Sequence, residues 1–188
     1  MFIQYIRYNE IYKNRIREDL EEKNHMLEKI AKIDGLTGIA NRDYINDFLS
    51  KEMSRANRYE TNLTIIMVDI DHFKQINDTY GHLSGDKVLI NFAKVIRQNI
   101  RESDLIGRWG GEEFLIICPD TDLDSAVVIT QKLQETLKYM ECDTNYDITG
   151  SFGVATYRID FTLEEFIELA DERMYRAKKL GRDRIVFA

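Results

Sequence analysis

The chain has 188 residues, of which 44% are hydrophobic and 11% aromatic, and this suits one globular domain with a short extension. Its formal net charge of −7 argues against nonspecific binding to nucleic acid or to anionic lipid, because those surfaces require clustered lysine and arginine. The two cysteines and three histidines show no zinc-ligand spacing, so we expect neither a disulfide framework nor a structural zinc site. So little cysteine favours a cytoplasmic, reducing compartment.

Residues 1–33 contain no glycine or proline and mix charges of both signs, which predicts one extended helical segment. Ile16, Leu20, Leu27 and Ile30 fit a heptad seam, so the segment favours a parallel coiled coil that joins two copies of the chain. The alternative is a helix that packs on its own domain. The aromatic and basic residues of the first 17 positions could also flank a transmembrane helix encoded upstream, which would make the chain the cytoplasmic part of a membrane-anchored sensor.

Residues 34–188 predict a second domain, in which strands and helices alternate. We expect strands at 63–68, 104–109, 114–118, 147–157 and 184–187. We expect helices at 41–57, at 72–79, from Ser84 onward, at roughly 123–140, and from a capping box of Thr162 and Glu165 to Gly181. Strands separated by helices, with one hairpin, indicate an α/β sandwich whose sheet is covered on one or both faces.

The hairpin carries the most informative residues of the chain, Gly110-Gly111-Glu112-Glu113-Phe114. Two glycines between apolar runs predict a tight primed turn, in which both residues adopt positive φ angles. Adjacent strand residues point to opposite faces, so Glu112 and Glu113 do not form one solvated face. An acidic pair at a hairpin tip is a candidate metal site.

A second acidic segment, Asp69-Ile70-Asp71-His72-Phe73-Lys74, follows the first predicted strand. Asp69 and Asp71 are two residues apart and share a face of an extended chain, while Ile70 turns inward. If this strand end lies beside the hairpin tip, Asp69 meets Glu112, and the two like charges favour a cation between them. Such an oxygen site suits Mg²⁺, and Lys74 could then reach a phosphate. The alternative is that both aspartates cap the following helix.

Two further groups of residues are ambiguous when taken alone. Asn77 and Asp86 could read a guanine edge, with His82 nearby, but they are also ordinary turn and first-turn residues. Lys178 and Arg182 are four residues apart on a predicted helix face. They could close on a triphosphate, or they could be the cations that a helix C-terminus favours.

In order along residues 34–188, these motifs resemble the GGDEF family of diguanylate cyclases. The motifs are DGLTGIANR (34–42), DIDHFK (69–74), NDTYGH (77–82), GD (85–86), RWGGEEF (108–114), SFGVA (151–155) and YRAKKLGRDR (175–184). The resemblance implies that residues 34–188 are the catalytic domain, and the heptad spacing then favours dimerisation and signalling as the role of the N-terminal segment, residues 1–33. It implies a palm-like sandwich, shared with class III nucleotide cyclases, whose central, mostly antiparallel sheet is flanked by helices.

The resemblance also implies an activity, the condensation of two GTP into cyclic di-GMP and two pyrophosphate. It assigns Mg²⁺, with Mn²⁺ as the alternative, to Asp69, the Ile70 carbonyl and Glu112, with Glu113 assisting. It assigns phosphate binding to Lys74, Lys178, Arg182 and the backbone near His72 and Phe73, guanine recognition to Asn77 and Asp86, and the lining of the nucleotide pocket to His82. Glu112 would accept the proton of the attacking 3′-hydroxyl.

Because each domain would hold one GTP, the resemblance implies a homodimer of two facing half-sites. The RxxD motif, Arg101 and Asp104, stands where the family binds its product as an inhibitor; the alternative is a surface loop with one salt bridge. The chain departs from the common pattern in its GGEEF signature and in Asp183, where asparagine is usual. Two other readings are a binding module that only senses GTP or cyclic di-GMP, and a helix-tethered dimerisation domain, although the latter leaves Asp69, Glu112 and Lys74 unexplained.

Overall fold

The fold is built around β1 (Leu63–Ile70), a strand whose eight residues are all buried. A computed structural model describes residues 32–140 and 147–188. The predicted heptad seam and Cys142 therefore lie outside the described residues. Within them, residues 34–188 belong to one unit.

The described residues form a five-stranded sheet in the order β2–β3–β1–β4–β5. The other strands are β2 (Leu105–Arg108), β3 (Glu113–Pro119), β4 (Gly150–Thr156) and β5 (Arg184–Val186). All neighbours are antiparallel except β4 and β5. The predicted mostly antiparallel sheet is therefore confirmed.

Five described helices cover the sheet: α1 (Arg42–Tyr59), α2 (Phe73–Tyr80), α3 (His82–Asn99), α4 (Leu123–Leu137) and α5 (Leu163–Lys179). One core cluster joins α1 and α5 to Ile65 and Met67 of β1, and another joins α3 and α4 to Ile66 and Val68. Because alternate residues of β1 enter two cores, the strand needs a continuous apolar run. No helix of the described ranges is long and apolar enough to cross a membrane.

Local capping follows the sequence closely at α5. The Thr162 hydroxyl accepts a hydrogen bond from the Glu165 N–H at 3.1 Å, and the Glu165 carboxylate accepts from the Thr162 N–H at 2.7 Å. The predicted capping box is thus confirmed. The helix ends at Lys179, two residues before the predicted end at Gly181, which has a φ of +116°.

The predicted start of α3 at Ser84 is wrong, because the helix begins at His82. Gly81, with φ +79° and ψ 162°, is the single residue that separates α2 from α3. Gly85 lies inside α3 instead of opening it. There it leaves room for Asn77, whose side chain would collide with a Cβ at position 85.

The predicted primed turn at Gly110-Gly111 is also wrong, since neither glycine has a positive φ. The loop between β2 and β3 comprises the four residues 109–112, and the Glu113 carbonyl accepts from the N–H groups of Trp109 (2.8 Å) and Gly110 (3.3 Å). A Cβ at position 110 would stand 2.8 Å from a carboxylate oxygen of Glu113, so that side chain lies close to the loop. Glu112 is consequently a loop residue, and β3 begins at Glu113.

Candidate active site

A pocket of about 290 Å³ lies where β1 ends beside the hairpin tip. Three separate parts of the chain meet in it. The lining residues are Asp69, Ile70, His72, Phe73, Lys74, Gln75, Glu112, Lys178 and Arg182. Eight of these nine are residues that the sequence predicted, and only Gln75 was missed, because a lone glutamine in a helical pattern carries no signal of its own.

Strand pairing brings the two acidic segments together. In the β1–β3 register Asp69 lies opposite Glu113, and the Ile70 N–H donates to the Glu112 carbonyl at 3.3 Å. Glu112 therefore stands at the end of β1, as the sequence predicts for a strand end beside a hairpin tip. Glu113 does not line the pocket; its carboxylate lies against Gly110.

Asp69 is the electrostatic centre of the pocket. Its side chain is buried and accepts an ion-paired hydrogen bond from Lys178 Nζ at 2.7 Å. Burial raises the pKa of Asp69 to about 6; Lys178 opposes this shift, and the negative charges of Glu112 and Glu113 add to it. A carboxylate held in this way gains from any further cation that reaches it.

The start of α2 supplies backbone donors to the same pocket. His72 precedes the helix with a left-handed φ of +58°, and no side chain caps the helix there. The first N–H groups of a helix lack intrahelical partners and favour anions. Lys74, in the first turn, is exposed and adds a positive charge. The arrangement suits phosphate oxygens.

The predicted guanine-reading residues lie on α2 and α3, outside this pocket. Asn77 is half-buried and packs against Gly85, the residue before Asp86. His82 is exposed at the first position of α3, and Asp86 lies one turn further along the helix. These three residues therefore occupy one helix pair, next to the pocket segment 72–75 in sequence.

Two details of the predicted site are wrong. Lys178 and Arg182 do not share a helix face, because α5 ends at Lys179 and Arg182 has a left-handed φ of +63°. They nevertheless line the same pocket. Asp71 does not accompany Asp69 into the pocket; it lies past the end of β1 and accepts hydrogen bonds from Thr149, Ser151 and the Asp183 N–H.

Arg108 is a structural residue that the sequence reading did not single out. Its guanidinium donates to the Gly111 carbonyl at 2.7 and 3.1 Å, and it also contacts both carboxylate oxygens of Asp34 at 3.4 Å. Partial burial acts to raise the pKa of Asp34, but hydrogen bonds from Thr37 and the charge of Arg108 hold it below its ordinary value. We refer to Arg108, Asp34 and Gly111 as the hairpin brace.

The RxxD motif lies at the other end of β2 from the hairpin tip. Asp104 is 3% exposed, and its carboxylate accepts from the Arg101 N–H at 3.0 Å, while the Arg101 carbonyl accepts from the Asp104 N–H at 3.2 Å. The Arg101 side chain is exposed. The motif thus forms a closed turn held by main-chain atoms of Arg101, about 14 Å from the tip at four strand residues of about 3.4 Å each.

Among the described residues, the pocket supplies two carboxylates to a divalent cation but not the three or more ligands of a preformed metal site. Within residues 32–140 and 147–188, no three carboxylate, imidazole or thiol groups converge as a cluster. Two carboxylates, Asp69 and Glu112, share the pocket with Ile70. Mg²⁺ commonly takes one or two carboxylates and completes its shell with water and substrate phosphates, so the donor set fits this ion.

Carboxylates, lysines and an arginine around a helix start suit the binding of metal-bound phosphates, and comparison with known proteins identifies the family. The family model described as "Diguanylate cyclase, GGDEF domain" matches residues 31–184. The diguanylate cyclase DgcP of Pseudomonas aeruginosa is 38% identical over 163 residues, covering 84% of this chain and 24% of DgcP. The chain belongs to the GGDEF family of diguanylate cyclases.

Solved structures agree with this assignment. The coiled coil and GGDEF domain of DgcB from Caulobacter crescentus, in complex with c-di-GMP, matches with a TM-score of 0.88 at 28% identity, covering 94% of this chain and 95% of that one. The active GGEEF domain of a diguanylate cyclase from Vibrio cholerae matches with a TM-score of 0.75 at 30% identity, covering 79% and 97%. The chain spans less than half the length of the curated relatives it matches.

Proposed function

We propose that this chain condenses two GTP molecules into cyclic di-GMP and two pyrophosphates. The observation that carries the proposal is the pocket itself, in which Asp69 and Glu112 lie together with Lys178 and Arg182. The GGEEF signature is compatible with activity, since a GGEEF domain of V. cholerae is described as active. The cyclic di-GMP bound to DgcB in its structure is the product that we assign to this chain.

Asp69, the Ile70 carbonyl and Glu112 would hold Mg²⁺, with Glu113 adding negative charge from the neighbouring strand position. The ion would neutralise charge that develops on the phosphates and on the leaving pyrophosphate. Mn²⁺ is the alternative ion, since it also prefers oxygen ligands.

Other residues in and beside the pocket would bind the phosphates and the guanine base of GTP. Lys74, Lys178, Arg182 and the N–H groups at the start of α2 would bind phosphate oxygens. Lys178 now pairs with Asp69 at 2.7 Å, so its ammonium group is already placed beside the carboxylate. Asn77 and Asp86 bind the guanine edge with their amide and carboxylate groups, and His82 lines that end of the nucleotide site.

The reaction requires two such sites. Each domain binds one GTP, and the 3′-oxygen of one nucleotide forms a bond to the α-phosphorus of the other as the bond to pyrophosphate breaks. Glu112 accepts the 3′-hydroxyl proton, and a second, symmetric attack closes the ring. A homodimer with facing half-sites is therefore part of the mechanism, and residues 1–33 would raise the effective concentration of the second half-site.

Product would inhibit the enzyme at Arg101 and Asp104. An exposed guanidinium can bond in a bidentate manner to guanine O6 and N7 and can stack on a base. Cyclic di-GMP bound there, away from the hairpin tip, would hold the domains so that their GTP sites cannot meet. We place the enzyme in the cytoplasm, where GTP is available.

The decisive experiment incubates purified protein with GTP and Mg²⁺ and identifies the products by mass spectrometry. We expect cyclic di-GMP and pyrophosphate, with two pyrophosphates released for each cyclic product. Binding of GTP without turnover would instead make the chain a nucleotide-sensing module.

A further inference from the structure

The segment that carries Arg182 follows a backbone path that its residues do not prefer. Arg182 and Asp183 have φ angles of +63° and +41°, directly after Gly181 at +116°. Two consecutive non-glycine residues in the left-handed region are unfavourable, so surrounding contacts must hold this turn. Arg182 lines the candidate pocket, so the backbone of this turn sets the position from which the Arg182 side chain extends into it.

One contact comes from Asp71, a buried carboxylate that has no role in the proposed reaction. Asp71 is 4% exposed and accepts three hydrogen bonds: from Thr149 Oγ1 at 2.8 Å, Ser151 Oγ at 2.6 Å and the Asp183 N–H at 3.0 Å. The two hydroxyls fix the carboxylate on the sheet, and the remaining bond ties the Asp183 backbone to it. Asp71 thereby connects the turn to the end of β1, two residues from Asp69.

The second contact comes from α4. The side-chain amide of Gln134 donates to the Asp183 carbonyl at 2.7 Å and to an Asp183 carboxylate oxygen at 2.8 Å. Gln134 is half-buried, whereas Gln131, on the preceding turn of the helix, is exposed. Every polar group of Asp183 thus has a partner outside the turn. The Arg182 N–H and carbonyl are bonded as well, to the Ala177 carbonyl at 3.0 Å and to the Arg184 guanidinium at 2.9 Å.

We propose that Asp71, Gln134 and Asp183 form a clasp that holds the turn in its left-handed path and so positions Arg182 for the triphosphate of the nucleotide. The clasp residues do not touch substrate; they are positioning residues that act through Arg182. The inference rests on the proposed function only in its assumption that the pocket binds GTP. It explains why a carboxylate two residues after Asp69 points away from the pocket.

Asp183 has two opposing effects in this arrangement. Its carboxylate accepts from Gln134, which helps to hold the turn, but its negative charge lies next to Arg182 in sequence and repels phosphate. Asparagine at this position would keep the accepting oxygen and remove the charge. The structure therefore assigns the holding function to the side-chain oxygen and not to the charge.

The test compares Gln134→Leu with Gln131→Leu, its matched control on the same helix. Leucine keeps the approximate size of glutamine but removes both donated hydrogen bonds. Dissociation constants are measured calorimetrically with Mg²⁺ present, for guanosine and for a GTP analogue with a non-cleavable α,β-methylene bridge, which stands for GTP because the protein cannot turn it over. We expect Gln134→Leu to weaken GTP binding roughly five- to tenfold, because the turn that positions Arg182 loses two hydrogen bonds. The affinity for guanosine, which has no phosphate, should not change. Gln131→Leu should match the wild type for both ligands.

Hydrogen exchange measured without nucleotide tests the clasp independently of catalysis. The Asp183 amide should exchange faster in Gln134→Leu than in the wild type, while amides in β1 keep their protection. Equal GTP affinity in Gln134→Leu and the wild type, or an equal loss for GTP and guanosine, would overturn the inference. Failure of the wild type to bind GTP would instead count against the proposed function, and the exchange measurement would still decide whether the clasp exists.

A third variant, Asp183→Asn, separates the two effects of that residue. We expect GTP to bind at least as tightly as in the wild type, because the acceptor for Gln134 remains and a negative charge is gone. Weaker GTP binding in Asp183→Asn would show that the charge itself holds the turn, and would overturn the assignment to the oxygen.

Discussion

At the scale of single residues, the site depends on two carboxylates with different surroundings. Asp69 is buried and paired with Lys178, whereas Glu112 is a half-buried loop residue at the hairpin tip. The first is suited to hold a cation in a fixed place. The second lies at the hairpin tip, where it can meet a hydroxyl group from a second nucleotide.

Glu112→Gln should abolish cyclic di-GMP synthesis, lowering turnover by at least about 100-fold, while the protein stays folded. The change keeps the shape of the side chain but removes its charge and its capacity to accept a proton. Product formation is measured by chromatography, and Glu172→Gln, an exposed residue of α5, is the control. Near-native turnover in Glu112→Gln would refute the assigned role.

Cation binding should weaken in acid because Asp69 must lose its proton first. Its pKa is raised from 3.8 to about 6, so the folded state binds more protons than the unfolded chain between these values. The free energy of unfolding of the metal-free protein accordingly falls as pH rises through this window. Mn²⁺ affinity, read by electron paramagnetic resonance between about pH 5 and 8, should drop about tenfold per unit below pH 6. Affinity that stays constant down to pH 5 would contradict this.

The residue chemistry was predictable from sequence where it depends on local spacing. Asp69 and Glu112 stand out because carboxylates at a strand end and at a hairpin tip are unusual in themselves. Lys178 and Arg182 are ambiguous alone, and only the family resemblance assigns them to phosphate binding. Asp71 was misread, since its partners Ser151 and Asp183 stand 80 and 112 residues away. No local pattern reports which distant hydroxyl or amide a buried carboxylate will meet.

At the scale of elements, the sequence predicted nearly every strand and helix but not the paths between them. Periodic burial identifies β1 and α5, because each residue of such an element has a fixed direction. The loop at residues 109–112 has no such periodicity. Its two glycines predict positive φ angles, which neither adopts, and the Arg108 guanidinium organises the loop by binding the Gly111 carbonyl.

Arg108→Lys should lower turnover by roughly tenfold or more, because the hairpin brace fixes the loop that carries Glu112. An ammonium group cannot reproduce a guanidinium that bonds the Gly111 carbonyl through two nitrogens and reaches Asp34 as well. The loss of stability should be only about 1 kcal/mol. Turnover at saturating GTP is compared with the unfolding midpoint, and Arg58→Lys on α1 is the control. A fall in stability with unchanged turnover would mean that the brace is purely structural.

At the scale of the whole molecule, the RxxD turn proposed to bind product and the pocket proposed to bind GTP lie apart. Arg101→Ala should keep the initial rate but lose the early plateau that we expect in wild-type progress curves. The substitution removes only the exposed guanidinium. The turn should remain folded, because Asp104 is bound by main-chain atoms of Arg101. Glu102→Ala, an exposed neighbour, should retain the plateau.

Direct titration with cyclic di-GMP provides the complementary readout for Arg101. The wild type should bind the product at this site and the alanine variant should bind little. If the wild type binds no product there, the motif is only a coincidence of spacing.

Removal of residues 1–30 should leave a folded, mostly monomeric protein that still binds GTP. Its rate should rise steeply with protein concentration, because two half-sites must then meet by diffusion. Sedimentation and initial rates over a range of concentrations measure both effects. Unchanged association and activity would show that this segment is not the dimerising element.

The clasp joins Asp71 to Asp183, 112 residues further along the chain. The two sides of the pocket are therefore synthesised at different times. The ribosome delivers Asp69 and Glu112 before Lys178 and Arg182, which lie further along the chain. Contacts between residues so far apart in sequence also slow folding, because the entropy of loop closure must be overcome before they form. On the proposed function, a polypeptide interrupted before Lys178 lacks both of these phosphate-binding cations. Unfinished copies would therefore release no messenger into the cell.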